Sequence, residues 1–100
     1  MSKNIFAEIP ENVQLSARAA RDLKSLYKKN RQETERIVHD IVRLAKKALP
    51  ATQSKKLSGM GNVWELDSGR YRVAYLWQGP ILFIVTVFSK SDQLKIFKHL

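Results

Sequence analysis

Cysteine is missing from all 100 residues. That removes disulfides and thiolate metal ligands together, leaves packing alone to hold the fold, and fits a reducing compartment. The four glycines form no phosphate-cradling loop, no His, Asp or Glu spacing suits a metal, and no Ser-His-Asp set occurs. P-loop hydrolysis and zinc chemistry are thereby set aside, and no cofactor or metal is expected. Long apolar runs are absent too: the longest, Ile81 to Phe88, is interrupted by Thr86 and is far too short to span a bilayer. The opening stretch MSKNIFAEIPENV has neither an apolar signal core nor a small-residue cleavage pattern. The sequence therefore reads as cytoplasmic, with no membrane partner, no internal repeat and no low-complexity segment.

Acidic residues are scarce, 9 against 18 Lys plus Arg, and the net charge of +9 divides into +5 over residues 1–50 and +4 over residues 51–100. Such a field draws polyanions, either nucleic acid or an acidic protein; the plainer reading is a basic surface that serves solubility. One hundred residues at 44% hydrophobic content are enough for one core and too few for two, so residues 1–100 read as a single domain. Residues 1–10, which end in Pro10 without periodicity, read as an extension, an arm able to lie against a neighbour.

Val13 and Leu15 alternate with polar residues as a short strand, after which Ser16 can cap a helix from about Ala17 to Lys28. Ala20, Leu23, Leu26 and Tyr27 then form its apolar stripe. Asn30 with Glu33 resembles a capping box, so a second helix starts near Arg31 and runs to about Leu49, before Pro50. It carries Ile37, Val38, Ile41, Val42 and Leu44 at helical spacing, and Lys46 and Lys47 in its last turn. The two helices make an antiparallel hairpin. Residues 50–62 read as a basic loop. Strands follow at about 62–67, 70–77 and 81–88, the last apolar enough to be central. Leu94, Ile96 and Phe97 fit a short terminal helix or tail.

A turn at Ser68-Gly69, or over Asp67 to Arg70, pairs Leu66 with Tyr71, Glu65 with Arg72 and Trp64 with Val73. Trp64, Leu66, Tyr71, Val73, Tyr75 and Trp77 then share the face that roofs the helices, and Glu65, Arg72, Ala74 and Leu76 share the other. Trp64 reads as core, while Trp77, at a strand end, is open to either role. Glu65 and Arg72 can be an ordinary cross-strand ion pair, contributing about 0.2–1 kcal/mol. Alternatively, Arg72 offers a planar fork to two phosphate oxygens. His39, among Arg36, Asp40 and Arg43, reads as solvated. His99, close to Lys95 and Lys98, is either part of a basic terminus or a general acid or base. Lys55 and Lys56 are solvated lysines or contacts to backbone phosphates. Asp67 and Asp92 read as turn residues.

The order strand, helix, long helix, three antiparallel strands is accompanied by SARAARDLKSL at residues 16–26, LSGMGNVWEL at 57–66, YRVAY at 71–75 and ILFIVTVF before Ser89-Lys90. From about Asn12 to Lys90 this resembles the RelE/ParE toxin superfamily, and within it the HigB-type and phage-derived members. The resemblance implies an α+β fold in which a four-stranded antiparallel sheet, in the order β-α-α-β-β-β, packs on an N-terminal helical hairpin. It implies the toxin of a type II toxin–antitoxin pair, neutralised by a cognate antitoxin. Many such toxins bind the ribosomal A site and cut mRNA there. The arginine that contacts the scissile phosphate falls on Arg72, and RNA-binding basic residues fall on Lys55, Lys56, Arg70 and Lys90, with Lys95 and Lys98 beyond. The RelE-like branch has a lysine where Glu65 stands and a late catalytic tyrosine where Phe97 stands, so Glu65 or His99 becomes the acid or base. A ParE-like gyrase inhibitor that makes no bond changes, and a degenerate member that only binds RNA or antitoxin, are the alternatives.

Overall fold

The computed structural model describes residues 5–57 and 61–92. The terminal helix or tail read at Leu94, Ile96 and Phe97 lies outside the described residues, as do Lys95, Lys98 and His99. Strand β1 (Val13–Leu15) leads into helices α1 (Ala17–Lys29) and α2 (Arg31–Ala45). Strands β2 (Ser54–Lys56), β3 (Trp64–Ser68), β4 (Tyr71–Gln78) and β5 (Ile81–Ser89) follow.

The sheet runs β1-β5-β4-β3-β2. Strand β1 is parallel to β5, and the remaining pairs are antiparallel. The expected four-stranded antiparallel sheet is therefore a five-stranded mixed one. The α1–α2 hairpin and strands β2 to β4 together make the long connection that parallel pairing of β1 with β5 needs. The extra strand lies in the stretch expected to be a basic loop: Ser54, Lys55 and Lys56 pair with Leu66, Glu65 and Trp64. An edge strand of this kind needs no apolar alternation, which is why nothing in its composition marks it.

Local chemistry sets the helix ends. Ser16 Oγ accepts from the Ala19 amide at 2.9 Å, and Asn30 Oδ1 accepts from the Glu33 amide at 3.1 Å. Asn30 also closes α1, its own N–H donating to the Leu26 carbonyl at 2.7 Å. That leaves Glu33 without the return bond of a full capping box, and it turns to Arg70 instead. Helix α2 stops at Ala45, short of the expected Leu49. The Lys47 amide donates to Leu44 and the Ala48 amide to Arg43, both at 2.9 Å, with Lys47 at φ 57°. This is the Schellman ending, built on lysine where glycine is usual.

Leu23 and Leu26 of α1 and Ile37, Ile41 and Leu44 of α2 pack against Leu66, Val73, Tyr75, Leu82, Ile84 and Val87 of the sheet. On α1 the stripe is rotated slightly from the expected one: Ala19 is fully buried, and Tyr27 lies to the side. Asp22 Oδ2 clips α1 to β5, accepting from Thr86 Oγ1 at 2.8 Å and the Val87 amide at 3.0 Å. Within the N-terminal arm, the described residues from Ile5 onward fold onto the chain's own helices. Ile5 is buried, and the Phe6 ring meets Tyr27 edge-on at 5.9 Å, with the Arg31 guanidinium 5.6 Å from the Tyr27 ring. No helix among the described residues is long and apolar enough to cross a membrane.

Candidate active site

The β3–β4 hairpin turns at Gly69-Arg70, with Gly69 at φ 62°. Glycine at the first central position suits a two-residue turn whose twist matches the strands. A larger residue there would be strained and would press on the Arg36 guanidinium, 3.3 Å from where its Cβ would stand. The turn is one residue later than expected, which moves every pairing by two. Asp67 faces Arg72, Leu66 faces Val73 and Glu65 faces Ala74. Because side chains alternate with period two, a two-residue shift keeps each on its expected face.

Glu65 therefore meets Arg72 diagonally, Oε1 to Nη1 at 3.5 Å, and also lies 3.3 Å from the Lys55 ammonium. Arg72 Nε donates to Asp67 Oδ1 at 3.1 Å, and the Lys90 ammonium lies 3.6 Å from the same oxygen. Three cations and two carboxylates thus form one chain, Lys55–Glu65–Arg72–Asp67–Lys90, on the face away from the helices. The Glu65 side chain is 1% exposed and that of Arg72 is 21% exposed. A carboxylate this buried is tolerable only with cations beside it. Arg72 is neither sealed in nor a free fork: two carboxylates hold it and about a fifth of its side chain is exposed.

Of the residues expected to form a site, Lys55, Glu65, Arg72 and Lys90 come together. Arg70 does not: it lies at the turn, 88% exposed, and reaches Glu33 of α2 at 3.8 Å. Lys56 lies on the opposite face, across from Trp64. His39 is exposed on α2, as expected. Asp67, expected in a turn, is a strand residue of the network. Its sequence signal was parity: it alternates with Glu65, and a turn centred on Gly69 puts it opposite Arg72. Asp92, by contrast, does serve a turn, accepting from Ser89 Oγ at 2.9 Å. Asp40, expected at the surface, is buried and accepts from Ser68 Oγ at 2.7 Å, fixing the hairpin to α2.

Trp64 is the exposed tryptophan, at 38%, while Trp77 packs against the core, opposite to the expectation for Trp64. β3 is the next-to-edge strand and β2 is only three residues long, so little covers the Trp64 indole. Burial pushes the Tyr75 phenol above its ordinary 10.0, an effect partly offset by a hydrogen bond with Ser54. Among the described residues, no three His, Cys, Asp or Glu side chains cluster as metal ligands would.

Residues 13–94 match the profile of a family described as the ParE toxin of type II toxin-antitoxin system, parDE. No curated protein sequence matches the chain. Solved structures share the fold. A copper-bound mutant toxin from Helicobacter pylori has TM-score 0.68 at 19% identity, covering 80% of this chain and 94% of that one. The YoeB dimer from Staphylococcus aureus has TM-score 0.67 at 15% identity, covering 77% and 93%. YafQ in the E. coli DinJ-YafQ toxin-antitoxin complex has TM-score 0.66 at 15% identity, covering 80% and 92%.

Proposed function

The chain belongs to the ParE toxin family of type II toxin–antitoxin systems, and on that premise we propose that it is a ribosome-dependent mRNA endoribonuclease whose charge stabiliser is Arg72. The observation that carries this reading is the guanidinium held between Glu65 and Asp67 with a lysine beyond each carboxylate. A phosphodiester approaching the exposed part of Arg72 competes with Asp67 for its Nε. Its charge is met on either side by Lys55 and Lys90.

Cleavage by attack of the 2′-OH on the adjacent phosphate needs a base, a donor to the developing dianionic phosphorane and an acid for the leaving 5′ oxygen. Arg72 supplies the donor. Glu65, 3.5 Å from it, takes the 2′ proton once substrate has loosened the bridge. His99 is the candidate acid. Holding mRNA in a reactive geometry on the ribosome lowers what the toxin itself must contribute. Lys56 and Arg70 contact phosphates farther along the strand, with Lys95 and Lys98 as further contacts. A cognate antitoxin is the protein partner; the E. coli relative of similar fold is itself half of a toxin-antitoxin complex.

Arg72→Lys keeps a cation beside Glu65 and removes the planar fork, so it separates catalysis from folding. It is expected to reduce mRNA cleavage by about 100-fold, as loss of one transition-state donor does. Primer extension after induction should show new 5′ ends at codon positions for the natural chain and lose them for the variant. A second reading is a ParE-like inhibitor of DNA gyrase that makes no bond changes; the match of residues 13–94 to the ParE toxin family keeps it in view. DNA breaks and an SOS response with unchanged mRNA ends would select it.

A further inference from the structure

On the helix side of the same sheet edge, a groove of about 300 Å³ opens between the end of α2 and strands β2 to β4. Trp64, Trp77 and Tyr75 form its walls with Leu49, Ser54 and Lys47, and among the described residues no carboxylate lines it. Lys56 stands across from Trp64 on this face. The Lys47 ammonium lies 5.4 Å from the Trp77 ring centroid. That position is reached through a left-handed backbone at Lys47, φ 57°, where glycine would fit without strain. The fold thus keeps a lysine at a glycine position and aims it into an aromatic groove.

We propose that this groove is a nucleobase subsite for single-stranded RNA, a deepening that rests on RNA being the target of Arg72. Glu65 and Trp64 are neighbours in β3, their Cα atoms about 3.8 Å apart, with side chains on opposite faces. Only the three-residue β2 lies outside them, with Lys55 on one face and Lys56 on the other. A strand with one phosphate at Arg72 crosses this edge and stacks a flanking base on the Trp64 indole. Lys47 and Lys56 meet the neighbouring phosphates. Aromatic planes interleaved with cations make the stacking platform that single strands use.

The test is titration of the purified protein with an adenylate hexaribonucleotide, followed by indole fluorescence. Binding should quench the natural chain. Trp64→Ala should weaken binding about 5- to 150-fold, the range of one lost base stack. Trp64→Phe, the safeguard against a folding defect, should keep most of the affinity. Lys47→Gly should hold or raise the melting temperature while lowering the slope of log affinity against log salt by about one. Equal hexamer affinity in Trp64→Ala, no binding by the natural chain, or quenching by polyglutamate but not by the hexamer would each overturn the subsite. The nuclease reading fails separately. Trp64-dependent hexamer binding without mRNA cleavage in cells removes the nuclease and leaves the subsite, and full cleavage by Trp64→Ala removes only the subsite.

Discussion

On the helix side of the sheet Leu66, Val73, Leu82 and Ile84 are fully buried among aliphatic neighbours. One residue along β3, Glu65 is just as buried on the other side, between Lys55 and Arg72. Depth is the same and its physics is opposite. The aliphatic side gains from leaving water, atom by atom, and any single deletion costs the lost contacts plus a cavity. The charged side loses hydration on burial and recovers it through partners, so what matters there is whether charges are removed singly or in pairs.

The largest expected effect comes from the aliphatic side. Ile84→Ala should lower unfolding free energy by about 4 kcal/mol in urea, with no second-site change able to restore it short of refilling the volume. Arg72→Ala should cost about 3 kcal/mol, the low end for a broken buried pair, because Lys55 stays 3.3 Å from Glu65. Here the contrast is sharpest: Glu65→Gln added to Arg72→Ala should recover part of the loss, and a double variant no more stable than the single one would break the distinction between the two faces.

Smaller effects probe the seam between them. Ser68→Ala removes the donor to Asp40, leaving the carboxylate, among the described residues, with Arg43 at 4.0 Å, and should cost about 2 kcal/mol by the same urea measurement. The smallest is a pH effect. Because burial raises the Tyr75 phenol, its proton is held more tightly in the folded chain than in the unfolded one. This contribution is complete below 10.0 and is lost as pH rises through the folded value. Unfolding curves from about pH 9 to 12 should fall more steeply for the natural chain than for Tyr75→Phe.

Much of the fold was legible because it depends on near neighbours. Ser16 and Asn30 declare the helix starts through side-chain oxygens that need only a local amide. Face assignments on β3 and β4 survived a wrong turn because the error was even, and an odd one would have turned every side chain over. What stayed hidden depends on distant chain. Strand β1 pairs with β5, far along the sequence, and β2 has no pattern until β3 lies beside it. The end of α2 was missed because lysine occupies a backbone shape that points to glycine. At the candidate site, Arg72 and Glu65 were visible as charges on one face, while Asp67 needed the true register to join them.

The outermost strands, β1 and β2, are each three residues long, while the inner ones run from five to nine. Unpaired strand rims are where one chain recruits another into aggregates, and short ones offer little to latch onto. Two adjacent lysines on the β2 rim add mutual repulsion between copies. The two rims of the sheet thus give a second copy little backbone with which to pair.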